Sequence, residues 1–234
     1  MKKISVLVVA AGVAFGVSAT SCDSKKNVNL RTSVDSASYA LGLINGDAFG
    51  QNLKTAPGEP IDVDLLLAGM SQGMKGDTAS MKMTMSQAQE FMQTYFMRAQ
   101  TEELNKIKEE GQAFLDQNKA KSGVVTTESG LQYQVITEGT GPKPKDEDRV
   151  KVHYTGTLLD GTKFDSSLDR GEPAEFGVTQ VIPGWTEGLK IMPVGSKYIF
   201  WIPSDLAYGD RGAGQDIKPG STLKFEVELL EIVK

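Results

Sequence analysis

The side chains that most often carry covalent chemistry are scarce in this chain of 234 residues, which has one histidine, His153, and one cysteine, Cys22. Metal centres and proton relays draw on several such groups, so conventional acid–base or metal catalysis is excluded and no metal or other cofactor is expected. His153 falls on the outward phase of an alternating segment and is expected at the surface. Gly209, Gly212 and Gly214 invite comparison with a phosphate-binding loop, but no Gly-Lys-Ser/Thr follows and no strand opens the motif, so they read as a turn. What stands out instead is a series of short aromatic and apolar stretches: Val152-His153-Tyr154-Thr155-Gly156, Gly161-Thr162-Lys163-Phe164-Asp165-Ser166-Ser167, Val181-Ile182-Pro183-Gly184-Trp185, Ala207-Tyr208-Gly209, and 223–230. Taken singly, an aromatic residue in such a segment is ordinary core, and Tyr133, Tyr198, Phe200 and Val227 are assigned to packing.

The segments around these stretches have strand grammar. After Gly123 the apolar period is two: Leu131, Tyr133 and Val135, then Val150, Val152 and Tyr154, then Leu223, Phe225, Val227 and Leu229 alternate with polar residues, as half-buried antiparallel strands do. Asp160-Gly161 is a turn signal between Leu158 and Phe164. Pro183 suits the first turn of a short helix carrying Trp185 and Leu189. Residues 123–234 therefore read as an antiparallel sheet curled over one helix.

Residues 33–122 read as helices. Asp35 or Ser36 can cap a first helix in which Gly42, Gly46 and Gly50 recur every fourth residue. Such a bare stripe suits close approach of another helix, and the other reading is a poorly formed helix with a loop. Pro57, Gly58 and Pro60 break the chain before a second helix from Asp62 or Asp64 to Gly76. Ser86 and Gln89 match a capping box for a third helix of about 36 residues, some 54 Å long at 1.5 Å per residue. Its early part (Phe91, Met92, Tyr95, Phe96, Met97) is expected to be packed. The later part, with Leu104, Ile107, Gly111 and Phe114 on one face among many charges, is expected to be a solvated stalk.

Lys2 and Lys3, an apolar run of about 14 residues and small residues before Cys22 spell a secretory leader over residues 1–21, too short to span a bilayer as a permanent helix. The position of Cys22 resembles the lipobox of bacterial lipoproteins, which implies acylation there and a membrane anchor with residues 22–32 as tether. Ordinary cleavage leaving a stray thiol is the other reading. Loss of Lys2 and Lys3 takes the formal net charge from −5 to −7. Without a basic footprint, nucleic acid is excluded as a partner.

In their order, the five aromatic stretches closely resemble the FKBP-type peptidyl-prolyl isomerases, over about residues 126–234. The helical half resembles the amino-terminal arm of the macrophage infectivity potentiator class. The resemblance implies an α+β chain: an all-α dimerisation arm with a long connecting helix over 33–122, then an antiparallel β half-barrel wrapped on one short helix over 123–234. It implies a homodimer acting on proline-containing polypeptides and binding macrolide inhibitors. By position, Trp185 would be the pocket floor and Tyr154, Phe164, Phe176, Val181, Ile182 and Phe225 its walls. Asp165 and Tyr208 would be the polar members, with Ile217 on the flap and Arg170 paired to Asp165. The Ile182 amide and Tyr208 hydroxyl would donate to substrate carbonyls. Asp165 would orient Tyr208 or the substrate's surroundings, or else only fix a loop through Arg170. Ala174, Ala213 and Lys218 depart from the best-known eukaryotic pattern, which bears on substrate preference and macrolide affinity.

The chemistry implied suits these residues. Rotation about an X-Pro bond faces a barrier of about 18–20 kcal/mol from amide resonance, breaks no covalent bond and needs no nucleophile. Two other readings stand beside the isomerase: a holdase chaperone working through the methionine-rich arm, and a pocket kept only for binding.

Overall fold

The computed structural model describes residues 28–233. The leader and Cys22 lie outside the described residues. By compactness the chain divides after Lys54.

The first part contains α1, Ser33–Lys54. Its start is closed by Thr32 rather than by Asp35 or Ser36: Thr32 Oγ1 accepts from the Asp35 amide (3.1 Å), and the Asp35 carboxylate accepts from the Thr32 amide (2.9 Å). Both expected caps lie one turn inside the helix. Gly42, Gly46 and Gly50 sit within unbroken helix, so the loop alternative falls. A Cβ on any of them would meet nothing within 4 Å, and no residue of α1 is buried.

The second part, from Thr55 onward, opens with α2, Val63–Lys75. As expected, Asp62 caps it, accepting from the amides of Asp64 and Leu65, and Gly76 ends it in the left-handed region at φ 62°. The long helix α3 covers Met85–Asn118, 34 residues. Its capping box is Thr84 with Gln87, not Ser86 with Gln89. The two pairs have the same spacing, and only the extended backbone at Thr84 (φ −73°, ψ 162°) distinguishes the true cap.

The expected packed start of α3 is found only in part and the solvated end is not found. Tyr95 and Phe96 are half-buried, with Tyr95 against Gly58, while Phe91 and Met97 are 59% and 58% exposed. The second half instead docks onto the β-sheet portion of the molecule. Gly111 faces Thr222 so closely that a Cβ would lie 2.4 Å from its hydroxyl, Leu104 lies against Gly220, and Leu115 is buried. Lys108 pairs with Asp210 (2.5 Å) and Lys218 with Glu103 (2.8 Å). At the helix end the buried Asn118 donates to the Gln132 side chain (2.9 Å), whose own amide donates to the Leu115 carbonyl (2.8 Å). The periodicity of charges misled because these lysines and glutamates bond to loops more than a hundred residues distant in sequence or flank small residues that let the helix approach.

The remaining strands are β1 (Val124–Thr126), β2 (Gln132–Thr137), β3 (Arg149–Leu158), β4 (Lys163–Ser166), β5 (Ala174–Gly177), β6 (Lys197–Ile202) and β7 (Leu223–Val233). They form one antiparallel sheet in the order β1-β2-β6-β7-β3-β4, with β5 on β3. A single turn of helix, α4 (Ser167–Arg170), follows β4, and α5 (Pro183–Ile191) begins at Pro183 as expected. α5 packs on β6 through its two glycines: Gly184 lies against Ile202 and Gly188 against Phe200, where a Cβ would come within 2.4 and 2.8 Å of those side chains. The core is the inward phase read from sequence, Val150, Val152, Phe200, Leu223, Val227 and Leu229, with Leu189 of α5. Tyr198 is also core, stacked on Tyr133.

Candidate active site

Three strands and one helix converge on Trp185, which is 5% exposed. The rings of Tyr154, Phe176 and Phe225 meet it edge-on or nearly so, at centroid distances of 5.1, 5.6 and 5.3 Å. This geometry suits the quadrupoles of aromatic rings and fixes each ring by the others. Gly156 in β3 makes the next contact possible: Phe164 and Phe225 meet over it at 5.5 Å, and a Cβ there would lie 2.6 Å from the first ring and 2.7 Å from the second.

Phe164 and Asp165 both line the cavity although they are neighbours on β4. A regular strand sends neighbours to opposite faces. Here Gly156 pairs with Asp165 and Thr157 with Lys163, so Phe164 is the extra residue of a bulge. The bulge aims both side chains the same way.

The resulting cavity, of about 640 Å³, brings together Tyr154, Phe164, Asp165, Phe176, Val181, Ile182, Trp185, Tyr208, Ile217 and Phe225. Arg170 stands behind it, holding Asp165 (2.5 Å) and the Tyr154 hydroxyl (3.0 Å), with its guanidinium 5.6 Å from the Tyr154 ring. The Tyr154 hydroxyl in turn donates to Asp165. Asp165 thus bonds to Tyr154 and Arg170, and among the described residues no hydrogen bond joins it to Tyr208. Its burial pushes the carboxyl up, but the hydrogen bonds from Tyr154 and Arg170 outweigh this and hold it below the ordinary 3.8. Burial, reinforced by Asp165, pushes the Tyr154 phenol above 10.0.

β3 and α4 are locked together from below. The buried Ser167 hydroxyl accepts from the Tyr154 amide (2.8 Å) and lies 3.1 Å from Nδ1 of His153. His153 is thus half-buried, not a free surface residue as its strand phase suggested, because α4 folds back over the outer face of β3.

Several hydrogen-bond donors on the lining residues have no protein acceptor among the described residues. They include the buried indole N–H of Trp185, the amide of Ile182 just before α5, and the hydroxyl of Tyr208, a residue 40% exposed. The Ile182 carbonyl is occupied, accepting from the amides of Trp185 and Thr186. An apolar box with unpaired donors is arranged to receive a ligand rich in carbonyl oxygens.

Gln180, Gly214 and Asp216 also line the cavity and were missed. Gln180 sits one residue before the quoted Val181 stretch, and Asp216 one before Ile217; neither has an aromatic or apolar signature to mark it. Of the three departures, Ala213 lines the cavity and bridges Ile217 in a small hairpin, Ala174 packs at the core margin on β5, and Lys218 turns away to Glu103. Gly209, Gly212 and Gly214 all have positive φ, between 58° and 64°, in agreement with their reading as a turn. Among the described residues no cluster of side chains suits a metal ion.

Comparison with known proteins agrees with this geometry. Residues 141–230 match the family model described as FKBP-type peptidyl-prolyl cis-trans isomerase, and 34–135 that of the domain amino-terminal to it. The chain is 46% identical to the FKBP-type 22 kDa peptidyl-prolyl cis-trans isomerase of Escherichia coli, over 84% of this chain and 94% of that protein. It is 41% identical to the outer membrane protein MIP of Legionella longbeachae, over 100% of this chain and 98% of the relative. The crystal structure of FkpA from Escherichia coli superimposes with a TM-score of 0.71 at 36% identity, covering 87% of this chain and 98% of that one. On fold, site and kinship together, the chain belongs to the FKBP-type peptidyl-prolyl cis-trans isomerase family.

Proposed function

We propose that this protein accelerates cis/trans exchange at X-Pro bonds in polypeptides of the bacterial cell envelope, with residues 123–234 as the isomerase domain. The observation that carries this reading is the apolar aromatic box with unpaired donors and no nucleophile. In the twisted transition state the carbonyl oxygen loses much of its resonance charge, so a dry apolar wall disfavours the planar ground state more than the twisted one. Phe164 and Trp185 supply that wall and Tyr154, Phe176, Val181, Phe225 and Ile217 shape it. The Ile182 amide and the Tyr208 hydroxyl position the carbonyls on either side of the proline. Asp165 and Arg170 hold the Tyr154 ring.

The finer assignments belong to the same proposal. Residues 33–122 form a dimerisation arm, with the glycine stripe of α1 meeting a second copy. Residues 1–21 are a leader, and acylated Cys22 with the tether 22–32 anchors the protein to a membrane. Among the described residues no helix is long and apolar enough to cross one.

The test is the exchange rate of a short X-Pro peptide, read by NMR with catalytic amounts of protein. Wild type is expected to accelerate exchange strongly. Tyr208→Phe, which removes one exposed hydroxyl, should lower kcat/KM by about three- to tenfold while leaving thermal stability within about 0.5 kcal/mol. A folded wild type without acceleration would leave the pocket as a binding site and move a chaperone role of the arm to first place.

A further inference from the structure

Beside the proline pocket lies a second groove of about 660 Å³, between the second half of α3 and the loops of the sheet. Its apolar lining is Ile107 and Phe114 from α3 and Leu158 and Leu159 from the β3–β4 turn, all partly buried. Its rim is acidic. Glu103 is paired with Lys218, but Glu110, Asp160 and Asp216 have no ion pair among the described residues, against one further lysine, Lys106. Asp216 lines this groove and the proline pocket alike, so the two adjoin at the flap.

We infer that the groove holds the continuation of the same polypeptide whose proline occupies the pocket, and that it favours a flank with an apolar residue beside a lysine or arginine. This rests on the isomerase reading. A bound substrate is a continuous chain advancing about 3.3 Å per residue when extended, so a few residues beyond the proline carry it past Asp216. There it meets partly exposed apolar side chains that gain by being covered. Unpaired carboxylates surround them, and these select a basic partner and repel an acidic one. α3 thereby becomes one wall of the substrate site, which gives its docking onto the sheet a role beyond connection.

Using the full chain, exchange kinetics are measured on an X-Pro tetrapeptide and on two longer peptides, one with Leu-Lys flanks and one with Leu-Glu flanks around the same dipeptide. Wild type is expected to show a KM about tenfold lower for the lysine-flanked than for the glutamate-flanked peptide at low salt. The double variant Glu110→Lys/Asp160→Asn, outside the proline pocket, should erase that preference and leave the tetrapeptide rate within about twofold of wild type. Equal KM for the two long peptides, or a loss shared by the tetrapeptide, overturns the groove assignment while the isomerase reading stands. If no peptide is accelerated, the isomerase reading fails, and fluorescence anisotropy of the labelled long peptides decides the groove alone. Tighter binding of the lysine-flanked peptide, abolished in the double variant, supports it, and its absence overturns it. A preference that disappears on dilution of the protein would put a second copy in the groove and likewise overturn it.

Discussion

At the scale of single residues the site is held by a small ionic knot under an aromatic box. Asp165 sits between the Tyr154 hydroxyl and the Arg170 guanidinium, and both partners lower its pKa below 3.8. Because the folded value is depressed, the stability that the knot contributes is fully present above 3.8 and is lost as pH falls below it towards the folded value. Asp165→Asn should therefore lower Tm relative to wild type at neutral pH, and thermal melts should show that gap narrowing as pH drops below 3.8. A gap that persists unchanged in acid would mean that the carboxylate's charge contributes nothing. The carboxylate is about two-fifths exposed, so water weakens the pair, and the expected effect is modest. The aromatic members were legible in the sequence because their ordered motifs are distinctive. The Tyr154–Asp165 bond was not, since it depends on the bulge at Phe164, which leaves no mark in composition or period.

At the scale of elements, two glycine positions define opposite uses of a missing side chain. Gly156 is surrounded, and its absent Cβ is where the Phe164 and Phe225 rings come together. Gly156→Ala should drive these rings apart, costing about 1–3 kcal/mol by overpacking and lowering kcat/KM for a short peptide; melts and NMR exchange check the two effects. Gly46 in α1 is open, with nothing within 4 Å of its missing Cβ. A helix with no buried residue, which tolerates three glycines at about 1 kcal/mol each, needs a partner to offset them. Gly46→Leu would stabilise an isolated helix but fill the stripe, so sedimentation is expected to show a dimer for wild type and a shift towards monomer for the variant. A wild-type monomer at micromolar concentration would remove the arm assignment. The inward phases of β3 and β7, the cap of α2 and the turn at Gly161 were readable, because each is a local rule of spacing; the phase of β2 was not, for Gln132 is buried and Val135 is 40% exposed. The roles of the two halves of α3 were not, because a charged helical face reads the same whether it meets water or the Asp210 and Lys218 of a distant loop.

At the scale of the whole molecule, the change of grammar at Gly123 marks where helix gives way to strand, yet contacts carry the sheet portion's support back along α3. The Asn118–Gln132 amide pair is buried, and Leu115 and Gly111 are covered. Glu103 and Lys108 fasten the flap and the adjoining turn that follow Tyr208. Cutting the chain at 123 exposes Gln132 and removes every one of these contacts; cutting it at 99 keeps them. Loss of a buried side-chain hydrogen bond costs about 1–3 kcal/mol and loss of Leu115's burial about as much again. For a fragment of this size each kcal/mol lowers Tm by about 3–5 °C, so the 123–234 fragment should melt at least about 6 °C below the 99–234 fragment. The tetrapeptide rate should also fall in the shorter fragment, since Tyr208 and Ile217 lie on the loops that Lys108 and Glu103 restrain. Equal melting temperatures would mean that α3 rests on the sheet without supporting it. A lower melting temperature with an unchanged rate would mean that the pocket's loops hold their own shape, leaving α3 a support for the fold alone.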